Sequence, residues 1–452
     1  MKHLLPTLFL AAGMTLGTTA TAQCKMTCGK QPASGCCAGK PANGCCKSQS
    51  ANGCCKSQSA NGCCKSLTDG TKLFLHADAQ YRIPAIIQCK SGKIIAFTDH
   101  RYDNKDIGGG RHIDIVMKES TDGGKTWTAT EQMVARGGNR IANSFDCAHG
   151  DAAVVCDRET GEILLMCASG GVGYWESTRD NPQMMGRYTS SDEGKTWKAE
   201  EVTQHVYGLV DGMKSAFFTS GRICQSSRIK VGSHYRVYTA LTTHGGNRVL
   251  YSDDFGKTWH LLGANAAETA PKGDEAKLEE LPNGDVLISS RTQNGRFFNI
   301  YKYADKKKAT GAWGTVAFSS AANNGVKNGD SACNGEILVV KAKDTQGKAV
   351  DLMLQSVPTG PGRSNVAIFY KALRTKADYA SPETIAKDWE GSYQVSTTTS
   401  AYSTMVQAQD GKILFLYEED AFRHPETEPD DYYNIVFKKL CVKKITAGKY
   451  QL

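Results

Sequence analysis

Ser120-Thr121-Asp122-Gly123-Gly124-Lys125-Thr126-Trp127 recurs as Ser190-Ser191-Asp192-Glu193-Gly194-Lys195-Thr196-Trp197 and as Ser252-Asp253-Asp254-Phe255-Gly256-Lys257-Thr258-Trp259. The first copy follows the strand-like run Ile113-Asp114-Ile115-Val116-Met117, which places the pattern on a hairpin turn. Asp and Ser side chains bond the turn's own amides, Gly takes the positive φ, and Trp folds back over the edge of the sheet. Because the turn consumes their polar atoms, these boxes are structural staples rather than catalytic groups. The three copies start 70 and 62 residues apart, the length of one repeated supersecondary unit.

A second repeat crosses the first. A turn glycine precedes an aliphatic run at Gly92 (Ile94-Ile95-Ala96-Phe97), Gly161 (Ile163-Leu164-Leu165-Met166), Gly232 (Tyr235-Arg236-Val237-Tyr238), Gly284 (Val286-Leu287-Ile288), Gly335 (Ile337-Leu338-Val339-Val340) and Gly411 (Ile413-Leu414-Phe415-Leu416). The intervals are 69, 71, 52, 51 and 76 residues, room for about four strands and their loops in each unit. Residues 67–452 are therefore expected to form one all-β domain, a six-bladed β-propeller.

The 66 residues before it differ in kind. Lys2 and His3 precede an apolar run, Leu4 to Leu10, and Ala20-Thr21-Ala22 offers a cleavage site, so residues 1–22 read as an export signal too short to span a bilayer. A competing reading makes Cys24 a lipid-modified N-terminus. Residues 23–66 repeat ANGCCKSQS with no apolar face and hold ten of the 17 cysteines, which suggests a thiolate metal trap or, since the tract lacks the defined geometry of a metal site, a cross-linked spacer that tethers the domain to a cell surface. The same 66 residues hold seven Lys and no acid, so the net charge of +8 falls to +1 over residues 67–452. A general nucleic-acid surface is excluded as an expectation, and with hydrophobics at 40% and charged residues at 22% the chain is a soluble globular one.

Tyr81-Arg82-Ile83-Pro84 followed by repeated aspartate boxes resembles the exo-α-sialidase (neuraminidase) family of glycoside hydrolases over roughly residues 71–452. Boxes speak for the fold, so function must be carried by other residues. The resemblance implies a sialylated glycan substrate, no metal or organic cofactor, and three arginines that grip the sugar's carboxylate. The matching positions are Arg82, Arg291 after Val286-Leu287-Ile288-Ser289-Ser290, and Arg363 in Gly362-Arg363-Ser364-Asn365, whose flank departs from the usual spacing. Guanidinium forks suit a carboxylate, each charged hydrogen bond contributing about 1.5–3 kcal/mol. Arg101 matches the fourth arginine.

The resemblance makes Tyr402, in Ser400-Ala401-Tyr402-Ser403, the nucleophile and Glu275, in Gly273-Asp274-Glu275-Ala276-Lys277, its base. A carboxylate nucleophile would meet the substrate carboxylate with a repulsion of about 4 kcal/mol at ~4 Å and an effective dielectric of ~20. A phenol avoids this but, with a pKa of about 10, needs a base and a positive field. Asp106 matches the acid/base, on the loop Asp103 to Gly110, where partial desolvation is expected to keep it protonated near neutral pH; Asp103 and Asp114 are its rivals. Asp151 in His149-Gly150-Asp151-Ala152 matches the acid of the amide and hydroxyl pocket, with Asp146 close by. The loop Gly170 to Gly186, with Tyr174, Trp175, Met184 and Met185, is expected either to wall the site or to cover a blade edge. The resulting expectation is a retaining exo-α-sialidase, against a non-catalytic glycan-binding propeller or a trans-sialidase.

Overall fold

Alternating and aliphatic runs, punctuated by turn glycines, form strands throughout the computed structural model, which describes residues 70–103, 105–141, 143–263, 269–422 and 432–452. The expected export signal and the Cys-rich tract lie outside the described residues. The strands make six sheets, arranged as the blades of a β-propeller. Blade 1 runs from axis to rim as Gln80–Gln88, Ile94–Arg101, Ile113–Ser120 and Gln132–Ala135. Blade 2 is built on His149–Cys156, Ile163–Ser169, Met184–Ser190 and Lys198–Glu201. Blade 3 has Cys224–Val231 and Ala216–Phe218 sharing the inner edge of His234–Thr243, then Gly246–Ser252. Blade 4 has Ala276–Glu280, Val286–Thr292, Gly295–Asp305 and Thr310–Trp313; blade 5 has Ile337–Asp344, Ala349–Pro358, Val366–Leu373 and Gly391–Gln394. In blade 6, Ser400–Gln407, Ile413–Phe422 and Tyr432–Leu440 are completed by Thr71–Phe74, which pairs antiparallel with Tyr432–Leu440. The first strand thus closes the ring on the last three and leaves no open edge at the seam.

The core lies between blades. Ala85, Ile87, Ile95 and Phe97 of blade 1 pack on Val154, Leu165 and Cys167 of blade 2, and similar clusters fill the other seams. Each fully buried aliphatic or aromatic side chain contributes about 1.5–3 kcal/mol. Each aspartate box is pressed into a seam. Asp122 accepts from the amides of Lys125 and Thr126 and from the hydroxyls of Ser120 and Thr126, at 2.7–2.9 Å. A Cβ on Gly124, whose φ is +92°, would come 2.5 Å from Phe437 of blade 6; one on Gly256, at +77°, would come 2.5 Å from Leu164 of blade 2. Glycine is required there twice, for backbone sign and for close approach. Trp127 packs edge-on against Phe437, and Trp197 against Phe97 of blade 1, so each box fastens its blade to the one before. Blade 4 carries a degenerate box: Asp305 caps the amides of Lys307 and Lys308, and Trp313 donates to the Leu262 carbonyl of blade 3.

Five of the six glycine-plus-aliphatic copies fall on the second strand of a blade. The copy at Gly335 falls instead on the inner strand of blade 5, whose second strand begins after Gly347, where φ is +80°. The short interval of 51 residues followed by the long one of 76 comes from this displacement.

Along the axis the channel is plugged by paired charges. Glu336 is fully buried and accepts from Thr404 at 3.0 Å, with Lys277 at 3.8 Å, while Arg222 donates to Glu279 at 2.8 Å. Among the described residues no helix is long and apolar enough to cross a membrane.

Candidate active site

Inner strands all start at one mouth of the channel, and second strands end there, so residues distant in sequence meet by topology alone. Arg82, Asp151 and Tyr402 sit at the starts of inner strands and Glu275 just before one, while Asp99, Arg101, Arg291 and Glu418 sit near the ends of second strands. Register shifts at Arg82/Ala85, Gly150/Ala153 and Ser400/Ser403 bend three of the inner strands at this mouth. Ile83 and Asp151 take left-handed backbone, φ 59° and 58°. Such bulges re-aim side chains, and their strain persists only where neighbours hold it.

Glu418 is one such neighbour. Fully buried, it accepts from Arg82 Nε at 2.8 Å, from the Ile83 amide at 2.9 Å and from the Tyr402 amide at 3.1 Å. One carboxylate therefore fixes both an arginine and the backbone of the tyrosine. Asp99 does the same in the adjoining blades, accepting from Arg101 Nη2 at 3.0 Å and from the strained Asp151 amide at 3.0 Å. Burial pushes the Asp99 carboxyl up to about 6 against the pull of Arg101.

Arg82, Arg291 and Arg363 converge on Tyr402. The guanidinium carbons of Arg82 and Arg363 lie 5.7 and 5.5 Å from the Tyr402 ring centre, and Arg291 Nη1 is 3.1 Å from its hydroxyl oxygen. Tyr402 Oη donates to Glu275 Oε2 at 3.0 Å, and the same oxygen accepts from Arg291 at 2.6 Å. Burial raises the Tyr402 phenol well above its ordinary value, with the Glu275 charge adding to it and Arg291 and Arg363 opposing. Burial also raises the Glu275 carboxyl, against Arg291, which makes it a stronger base than an exposed glutamate. The arrangement is a phenol bonded to a base inside a positive field.

Asp106 is brought to the same mouth, its Oδ1 accepting from Arg101 Nη1 at 2.6 Å. Its expected protonation is overturned. The side chain is 88% exposed, and the Arg101 charge holds its carboxyl below the usual range, so without a ligand it stands ionised. The Asp151 carboxyl is instead raised well above its usual value, by burial and then by the Asp99 charge, against the pull of Arg101. The rivals lie in other networks: Asp114 is buried and accepts from His112, Tyr102 and the Gly137 amide, Asp103 caps the Lys105 amide, and Asp146 is exposed 3.9 Å from His149.

The loop after Gly170 splits in two. Met185 is buried in the core of blades 2 and 3 and so forms no part of a wall. Trp175 is 80% exposed and stacks on His244 at 5.4 Å, with Tyr174 edge-on to both. The loop abuts the one carrying Asp106, since a Cβ on Gly108 would come 3.2 Å from Gly173. Asp99 and Glu418 were missed from sequence. The available signal was strand parity: Asp99 shares a face with Arg101, and Glu418 interrupts the buried run Ile413 to Tyr417 at a position facing inward.

Residues 108–415 match the BNR repeat-like domain. The chain belongs to that family. This BNR repeat-like chain is 28% identical over 311 residues to a sialidase of Bacteroides fragilis, covering 64% of the chain and 52% of the relative. It is 27% identical over 356 residues to a sialidase of Micromonospora viridifaciens, covering 75% and 50%. The chain thus spans about half the length of these curated relatives. In fold it is similar to the intramolecular trans-sialidase of Ruminococcus gnavus, with a TM-score of 0.62 at 16% identity, covering 83% of this chain and 98% of that one.

Proposed function

We propose that this BNR repeat-like protein is an exported, retaining exo-α-sialidase that hydrolyses terminal α-linked sialic acids from glycoconjugates. The observation that carries the reading is the convergence of Arg82, Arg291 and Arg363, from three blades, on one phenol bonded to Glu275. An acidic sugar bound to the arginines presents its anomeric carbon to Tyr402, which attacks as Glu275 takes the phenolic proton. The arginines offset the carboxylate and leave the neutral phenol to meet the developing positive charge. Asp151 and Arg101 face the sugar's amide and hydroxyl side.

Asp106 protonates the departing glycosidic oxygen and later activates water. Its acid form depends on the substrate: a bound glycan covers a side chain now open to solvent and competes for Arg101, both of which raise the carboxyl. The purified domain from residue 67 onward should release free sialic acid from a sialyl-oligosaccharide. Glycan binding without release would leave a lectin, and a bridged or transferred product would make the chain a trans-sialidase.

A further inference from the structure

We propose that Cys89 and Cys156 form a reversible disulfide that ties blade 1 to blade 2 at the channel mouth opposite the candidate active site. Cys89 directly follows the inner strand Gln80–Gln88, and Cys156 ends the inner strand His149–Cys156. The two strands are neighbours in the ring, and both cysteines line a cavity of about 500 Å³ whose wall draws on all six blades. Both also belong to the apolar cluster that fills the seam between the two blades, Cys89 buried within it and Cys156 packed against it. Among the described residues no group of three metal-ligating side chains exists, so the pair lacks the four ligands of a structural zinc site.

The two sulfurs have different parts. Cys89 is buried, and the neighbouring Cys156 together with that burial pushes its thiol far up. Cys156 is half-buried on the cavity wall, and the Cys89 thiol and the Lys90 amide hold it below its ordinary value. Cys156 is therefore the thiolate that a small oxidant meets first. By contrast, burial within the fold pushes the Cys167 and Cys333 thiols up to about 12 and leaves them inert.

With glutathione disulfide as oxidant, the Cys156 thiolate attacks one sulfur, forming a mixed disulfide and releasing one glutathione thiolate. Cys89 then loses its proton and attacks the Cys156 sulfur, releasing the second glutathione. Two protein thiols are oxidised by two electrons, and one glutathione disulfide is reduced to two thiols. The closed loop spans blade 1 and the entry to blade 2, so its closure restricts the unfolded chain.

The test uses the full chain equilibrated in glutathione redox buffers, alkylated, digested and mapped by mass spectrometry. Oxidation should yield a peptide pair linked through Cys89 and Cys156, lighter by two hydrogens and lost on reduction, with Tm higher by about 5 °C. Cys89→Ser should trap glutathione on Cys156, and Cys156→Ser should leave Cys89 unmodified; neither variant should show the Tm rise. Full alkylation of both thiols after oxidation, linkage of Cys156 to another cysteine, or no adduct on Cys156 in Cys89→Ser would each overturn the proposal.

Discussion

The aspartate boxes and the candidate active site are built from the same residue types and use them in opposite ways. In a box, Asp122 stands at the surface, and every partner it has lies within four residues of it. Hydrogen bonds to the charged form hold its carboxyl below the ordinary range. At the channel mouth, Asp99, Asp151 and Glu275 are withdrawn from solvent, their carboxyls are raised, and Asp99 and Glu275 are held partly by residues from distant stretches of chain, the Asp151 amide and Tyr402. Local satisfaction makes a staple; long-range, incomplete satisfaction makes a place where charge is available to a ligand.

The largest effect should come from removing the group with no local substitute. Tyr402→Phe should lower sialoside turnover on the order of 10³-fold or more, while binding of sialic acid, measured by calorimetry, persists on the intact arginines. Parallel loss of binding would mean the phenol is a binding group only. Asp106→Ala should cost roughly 10²–10⁴-fold on a natural glycan and far less on an aryl sialoside with a good leaving group. Equal losses on both substrates would remove Asp106 from the acid role.

Glu418→Gln tests whether a single carboxylate holds both Arg82 and Tyr402. Breaking its buried pair with Arg82 should lower unfolding free energy by about 3–5 kcal/mol, and kcat/KM should fall with it because Arg82 loses its fixed orientation. Loss of stability with unchanged kcat/KM would reduce Glu418 to scaffold.

How much of this was legible follows the same division. Box residues announce themselves because Ser, Asp, Gly, Thr and Trp are needed at fixed short spacing, and the seam-filling Trp at the end is hard to mistake. Arg82, Arg101, Arg291, Arg363, Tyr402, Glu275, Asp106 and Asp151 were named through family resemblance, and all eight are gathered at one mouth. Asp99 and Glu418 were not named, since their value lies in what they face across a blade rather than in their neighbours along the chain. The Asp106 protonation was misread for the same reason: a Gly-rich loop suggested a carboxyl that keeps its proton, while the contact with Arg101 that lowers it is a property of the folded rim. Gly335 misled through period alone, because its aliphatic run fills the inner strand of blade 5.

Acid and neutral pH sharpen the contrast. The Asp99 carboxyl, raised to about 6 from an ordinary value of about 3.9, stabilises the fold while protonated. Its contribution is complete below about pH 4 and lost as pH rises through 6, a swing of about 3 kcal/mol. Asp99→Asn keeps an oxygen for the Asp151 amide and cannot titrate, so denaturant unfolding between pH 4 and 6.5 should show a flatter profile than wild type. An unchanged slope would mean that Asp99 is ionised throughout.

Asp122→Ala should have the smallest effect on chemistry. The lost carboxylate releases two amides and two hydroxyls of its own turn, but Gly124 stays pressed on Phe437, and Phe437 belongs to the strand that pairs with Thr71–Phe74 at the ring seam. Hydrogen exchange should therefore quicken at the amides of 124–127 and then at the closing strand, with kcat/KM unchanged. Its pH dependence should run opposite to that of Asp99: a carboxyl lowered by folding stabilises above its ordinary value and loses that contribution on acidification, so wild type and Asp122→Ala should converge in stability as pH falls below about 4. If activity instead fell as far as in Glu418→Gln, the box would be tied to the channel mouth through the seam of blades 1 and 6, and the line drawn between staple and site would have to move.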